Sequence, residues 1–183
     1  QWPYEADFYE QLREVVDAEV MAPRDKYYFV PTVGGRVTRE PQRAGRTRRL
    51  PVLLEQGDTA TVAFPISDEL ARWDDVGRIH EVLLRVRIMG VTELIEVGFA
   101  LNGVALPDDQ QRKINRMYTL GAPRYRVGGY WFIYKLTRDL WPTSGENELA
   151  VTLHQRDAVI TQELVLRDVE LETKYLKGKN FHR

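Results

Sequence analysis

The chain of 183 residues contains no cysteine. This absence excludes disulfides, thiolate metal sites and cysteine nucleophiles, but it does not fix the compartment, because a domain of this size does not need disulfides. No apolar run approaches the roughly 20 residues of a membrane-spanning helix. The formal net charge of −1 gives the whole chain no general attraction for nucleic acid. We therefore expect neither a membrane nor a nucleic acid as partner.

The sequence also lacks the motifs of common catalytic sites. His80, His154 and His182 are far apart, and none has the HxH or HxxxH spacing of a zinc site. A GxSxG nucleophile motif, a phosphate-binding glycine loop and a dinucleotide fingerprint are all absent. These absences predict that this chain alone is not an enzyme.

Two pairs of adjacent acids, Asp74-Asp75 and Asp108-Asp109, sit beside turn signals. A glycosidase needs two carboxylates that face each other about 5–9.5 Å apart, which adjacency in sequence does not supply. Aspartate is common in turns for backbone reasons. We expect no metal and no cofactor; the alternative is a Ca²⁺ ion held by Asp58, Asp74 or Asp108 with loop carbonyls.

The first 49 residues differ in pattern from the rest. Apolar side chains at helical spacing predict an amphipathic helix over residues 4–21, which Pro23 ends. The next segment is an irregular connector with a possible short strand at Lys26–Val30 and many arginines. These arginines are Arg36, Arg39, Arg43, Arg46, Arg48 and Arg49. Because they lack interleaved aromatics, we expect charge pairing within the protein rather than nucleic-acid binding.

Short segments of alternating apolar and polar residues follow. They are Ile79–Ile88, Glu93–Leu101, Tyr130–Leu136, Asn147–His154 and Gln162–Tyr175. This period of two predicts a mainly β protein, an antiparallel β-sandwich over residues 50–176 with a tail at 177–183. The expected core includes Val82, Leu84, Val86, Ile88, Leu149, Val151 and Leu153. A parity shift at Arg167-Asp168 predicts either a bulge or a crossing between sheets, and Gln56-Gly57-Asp58 predicts a hairpin turn.

One run of motifs resembles a known family. Leu101-Asn102-Gly103 ends a strand, a Tyr-rich strand follows at Tyr130–Leu136, and Gly145-x-Asn147-x-Leu149-x-Val151 comes next. This pattern resembles the galactose-binding-like jelly roll, an accessory module of many glycoside hydrolases, over roughly residues 50–175. The segment from Phe8-Tyr9 to Tyr27 is similar to the last helix and exit connector of (β/α)-barrel glycosidase-like proteins. Together with the start at Gln1, the resemblance implies a processed piece of a longer protein with an upstream barrel domain.

Aromatic side chains near the predicted loops suggest a sugar site. Aromatic rings beside fixed polar groups bind saccharides, and loops gather such groups from distant positions. We therefore expect a ligand-binding site at one end of the sandwich, not on a sheet face, formed by Asn102, Tyr125, Arg126 and Trp141. Core packing is the competing interpretation for each aromatic.

The sequence therefore predicts a non-catalytic accessory β-sandwich that binds carbohydrate or packs against an upstream barrel domain. The alternative is a structural, self-assembling jelly-roll protein. Its terminal arms, 1–49 and 174–183, would then contact a partner subunit.

Overall fold

A computed structural model describes residues 25–31, 42–43, 45–115, 118–119, 126–127 and 130–176. The helix predicted over 4–21 and the tail at 177–183 lie outside these residues. The strands are β1 (Lys26–Phe29), β2 (Gln42–Arg43), β3 (Arg46–Thr47), β4 (Val52–Leu54), β5 (Thr59–Ile66), β6 (Ile79–Met89), β7 (Glu96–Leu101), β8 (Val104–Ala105), β9 (Gln111–Asn115), β10 (Tyr118–Thr119), β11 (Arg126–Val127), β12 (Tyr130–Lys135), β13 (Gly145–Gln155) and β14 (Leu164–Tyr175). A short helix, α1, spans Leu70–Asp75, and single 3₁₀ turns span Asp108–Gln110 and Arg138–Leu140.

The strands form two packed sheets. The larger sheet has the order β2-β4-β14-β6-β12-β9, with β1 also paired to β14, and the smaller sheet has the order β3-β5-β13-β7-β8. The pairs β2–β4 and β3–β5 are parallel, and the other pairs in both sheets are antiparallel. The predicted antiparallel β-sandwich is confirmed. No helix of the described residues is long and apolar enough to cross a membrane.

The core lies between the sheets, where alternate strand positions point inward. All seven predicted core residues on β6 and β13 are completely buried. Aromatic rings join the two layers: Phe99 of β7 lies with its ring centroid 5.1 Å from that of Phe132 and 5.7 Å from that of Tyr134, both on β12. Alternation thus fixes which face of each strand is apolar, and burial of that face holds the layers together.

Two local predictions have different outcomes. The pairing of β14 with β6 shifts register between Leu166 and Asp168, so the predicted bulge is confirmed. The turn at Gly57 exists, with φ +85°, but it does not close a hairpin. It joins β4 of the larger sheet to β5 of the smaller sheet, so the chain changes layer there. The hairpin prediction was wrong because local turn chemistry does not specify the partner of each strand.

The described parts of the first 49 residues contribute to both sheets. The strand expected near Lys26–Val30 is confirmed as β1, and Tyr175 N donates to Asp25 Oδ1 (2.8 Å) beside it. The chain then passes from the larger sheet at β2 to the smaller sheet at β3. Arg46 and Arg48 lie 2.6 Å and 3.0 Å from two acids of β13, Glu148 and Glu146. The charge pairing within the protein that the sequence predicted is confirmed for these two arginines.

Candidate functional site

The outer face of the larger sheet carries a groove of about 710 Å³ that is open to solvent. The side chains that line it alternate with the core residues of β6, β12 and β14, and β1 and β9 add residues at its sides. The pairing register arranges these side chains in rows across the strands. Three such rows, which combine charged and apolar side chains, define the chemistry of the groove.

The middle row runs from β1 to β9 through Phe29, Glu170, Arg85, Ile133 and Arg112. Its residue types are aromatic, acidic, basic, apolar and basic in that order. Phe29 is exposed over 70% of its surface. The row therefore presents both charges and apolar surface to the groove.

The next row, toward one end of the strands, runs through Asp168, Arg87, Trp131 and Ile114. Arg87 forms an ion pair with Asp168 and lies with its guanidinium carbon 5.3 Å from the centroid of the Trp131 ring. Cation–π contacts at this distance are attractive, so the ring is held in place. Trp131 and Ile114 extend the apolar floor that Ile133 begins.

On the other side of the middle row lie Tyr27, Glu172, Leu83 and Lys135. Glu172 is buried and accepts hydrogen bonds from Arg85 and from the Tyr27 hydroxyl (2.8 Å). Burial alone would raise the pKa of Glu172, but these two hydrogen bonds and the positive charge of Arg85 outweigh it and hold the pKa below the usual value. Glu172 therefore stays ionised and fixes Arg85.

Glu170 has a different environment from its neighbour on β14. Among the described residues it forms no ion pair within 4.0 Å. Burial, followed by the negative charge of Asp168, raises the pKa of Glu170 above its usual value. Within the described residues, this carboxylate is therefore available as a hydrogen-bond acceptor at the acidic side of the groove.

Two polar atoms of groove residues have no hydrogen-bond partner in the described part of the chain. They are Oε1 of Gln110, an acceptor, and Nε1 of Trp131, a donor, and both are buried. Buried polar atoms in folded proteins almost always have a partner, and leaving one unpaired costs about 1–3 kcal/mol. Both side chains line the groove, so a bound molecule with hydroxyl groups is a candidate partner for each.

No family model and no curated protein matches this sequence.

Two of the four predicted site residues have internal roles in the structure. Asn102 adopts a left-handed backbone, with φ +49°, and its amide donates to Asn147 Oδ1 (2.8 Å) and accepts from Glu148 N (2.9 Å). Trp141 packs partly against the core and donates from its indole nitrogen to Leu136 O (2.9 Å). The polar groups of both residues are thus used to hold the loops.

The other two predicted residues are described only in part. Tyr125 lies outside the described residues. Arg126 begins the short strand β11, which pairs with β10 apart from the two main sheets. Their role in a loop site stays a prediction.

The adjacent acids also have structural contacts. Asp74 and Asp75 both accept from the guanidinium of Arg138, at 2.9 Å and 2.6 Å. Asp108 lies beside a second cavity of about 420 Å³, which His154 also lines. Within the described ranges, no three His, Asp or Glu side chains are grouped so that they could hold a metal ion.

Trp131 was not among the predicted site residues, and it lies on the outer face of the larger sheet. A signal was available, because Trp131 and Ile133 alternate with the core residues Phe132 and Tyr134. Arg85 and Arg87 likewise alternate with core residues of β6. The pairing of β12 with β6 brings these outward positions into one groove, and this pairing could not be predicted from the sequence.

Proposed function

We propose that this chain is a non-catalytic accessory β-sandwich that binds carbohydrate in the groove on the outer face of its larger sheet. The observation that supports this most is the composition of the groove. An indole ring and aliphatic side chains form its floor, and carboxylate, guanidinium and amide groups surround them. Sugars present apolar C–H faces and polar hydroxyls together, and such mixed surfaces are complementary to them.

The size and the unpaired polar atoms of the groove agree with this proposal. A volume of about 710 Å³ falls within the range of small-molecule sites. A hydroxyl group both donates and accepts, so a sugar is a chemically suitable partner for the acceptor of Gln110 and for the donor of Trp131, which lack one among the described residues. We also propose, from the resemblance of its motifs, that the module belongs to a longer glycosidase-like protein with a barrel domain.

We predict that Trp131→Ala weakens binding to the best ligand of a neutral and acidic glycan panel about tenfold or more, because the ring supplies the largest apolar contact in the groove. Isothermal titration of the purified chain measures the affinity. Val104→Ala, at an exposed position of the smaller sheet, is the control and should bind like wild type. Equal unfolding temperatures of the three proteins would show that the loss is local.

The same titration separates the groove from the loop site predicted from sequence. If Trp131→Ala keeps full affinity and Tyr125→Ala loses it, the groove proposal is wrong and the loop prediction stands. The exposed aromatics of β1, Tyr27 at 60% and Phe29 at 70%, favour packing against another domain or subunit as a second function. Absence of any glycan binding, with concentration-dependent assembly that Phe29→Ser abolishes, would support that function instead.

A further inference from the structure

The charges of the groove are separated across the strands. Acidic side chains stand on β14, where Asp168, Glu170 and Glu172 occupy successive outward positions. The opposite side, on β9 and β12, carries the cationic Arg112 and Lys135. The groove therefore has an acidic side on β14 and a basic side on β9 and β12, with Ile133 and the other apolar residues between them. Glu81 of β6 also lines the groove, and it forms an ion pair with Lys174.

The cations of β6 pair with acids of β14, whereas within the described residues the cations of the basic side are paired only weakly or not at all. Arg85 pairs with Glu172, and Arg87 pairs with Asp168. Arg112 is exposed and has no ion pair in the described part of the chain. Lys135 is 3.8 Å from Glu81, but Lys174 occupies the same carboxylate at 2.7 Å. An anionic group of a ligand can therefore bind to the cationic side chains of β9 and β12.

From this arrangement, and resting on the proposed function, we infer that the groove binds a sugar carrying a carboxylate, such as a uronic acid residue, and that Arg112 binds this carboxylate. The planar guanidinium matches a carboxylate with two parallel hydrogen bonds. Ile133 faces Arg112 across the strand pair, so the sugar ring attached to the carboxylate would lie against apolar surface. Lys135 adds a second positive charge on the neighbouring strand.

The acidic side limits how many charges the ligand carries. Glu170 lies three strands from Arg112, about 14 Å at the usual strand spacing. A sulfated or phosphorylated polymer with a charge on every residue would place an anion against Glu170 and Asp168, which repel it. Neutral hydroxyls, by contrast, donate to these carboxylates. The groove therefore fits a short saccharide with its carboxylate at one end.

The test compares each acidic sugar with its own neutral form. Short oligomers of galacturonate, glucuronate and mannuronate are titrated in parallel with their methyl esters, which keep the ring and hydroxyls but lose the charge. A sulfated oligosaccharide forms a third arm. We expect wild type to bind at least one acid about tenfold more tightly than its ester, and more tightly than the sulfated ligand.

Arg112→Gln should abolish the preference for the acid, so that the acid binds no more tightly than its ester. Arg72→Gln removes an exposed arginine of α1 away from the groove and is the matched control, which should keep the preference. Equal binding of acid and ester by wild type would overturn the inference but leave the proposed function in place. Tighter binding of the sulfated ligand would also overturn it, and absence of binding both in every arm and in the neutral and acidic glycan panel would overturn both.

Discussion

Asn147 is completely buried, although its amide is polar. Its Oδ1 accepts from Asn102 Nδ2 (2.8 Å) and from Thr143 N (2.9 Å), and its Nδ2 donates to Thr143 O (2.8 Å) and Gly145 O (3.0 Å). Every donor and acceptor of the amide is therefore used. One side chain thus holds together two loops at one end of the sandwich. Because all of its hydrogen-bonding groups have partners, the amide can be buried without a large energetic cost.

We predict that Asn147→Ala lowers the free energy of unfolding by about 2–4 kcal/mol, because four hydrogen bonds are lost and their partners stay buried. Urea denaturation at neutral pH measures the change. Gln155→Ala removes an exposed amide from the same strand and should change the free energy by less than about 0.5 kcal/mol. A similar small effect at Asn147 would show that water replaces the lost bonds.

At the scale of single residues, the sequence predicted the backbone conformation of turns but not the side-chain contacts between distant residues. Leu101-Asn102-Gly103 predicts a turn with positive φ, and the structure confirms it with φ +49° at Asn102 and +81° at Gly103. The hydrogen bond from Asn102 to Asn147 joins residues 45 positions apart. Such a contact depends on strand order, so residue types alone favoured a sugar-binding role for Asn102 that its internal hydrogen bonds do not support.

Among the connecting elements, two glycines with the same left-handed backbone differ in their surroundings. Gly57 has φ +85° and no atom within 4 Å of the position that a Cβ would take, whereas Gly90 has φ +81° and would place a Cβ only 2.2 Å from Glu163 O. Gly90 follows β6, where the loop before β14 approaches the backbone closely. The first glycine is required only for its conformation, and the second is required also for its lack of a side chain.

We predict that Gly57→Ala lowers the free energy of unfolding by about 1–2 kcal/mol, the cost of a left-handed backbone for alanine. Gly90→Ala should cost at least about 1 kcal/mol more, because the backbone at residue 163 must move to admit the methyl group. Thermal and urea denaturation of both variants provide the comparison. Equal losses would mean that the loop carrying Glu163 shifts freely.

Strands were more predictable than their pairing. The alternation of β6 and β13 identified the core face of each strand, because the period of two is a local property. The hairpin expected at Gly57 failed, since β4 and β5 find their partners in different sheets. For the same reason the groove was missed: its floor residues Trp131 and Ile133 are outward positions whose neighbours come from strands distant in sequence.

At the scale of the whole molecule, the outer face of the larger sheet carries two neighbouring glutamates of β14 that affect the stability of the fold in opposite ways. The pKa of Glu172 is lowered and that of Glu170 is raised. A glutamate with a lowered pKa stabilises the folded state at pH values above 4.5, the ordinary pKa of this side chain. This stabilisation is lost as the pH falls. A raised pKa does the reverse: stability is lost as the pH rises through the folded-state pKa of Glu170.

We predict that Glu170→Gln raises the free energy of unfolding at pH 7 and that this effect disappears well below pH 4.5, where the carboxyl is protonated in both states. Glu172→Gln should lower the free energy of unfolding at pH 7, because it weakens the pairing with Arg85, and its effect should shrink as the pH falls. Urea denaturation across this pH range measures both. Destabilisation by Glu170→Gln at pH 7 would contradict the unfavourable environment inferred for its carboxylate.

The contact between Asp25 and Tyr175 has a mechanical consequence. Strands β1 and β14 run antiparallel, and Lys26 is opposite Thr173, so the start of one strand lies beside the end of the other. A force that pulls residues 25 and 176 apart acts across the ladder at this edge rather than along it. The hydrogen bonds between β1 and β14 would then break one after another, as in a zipper, instead of sharing the load.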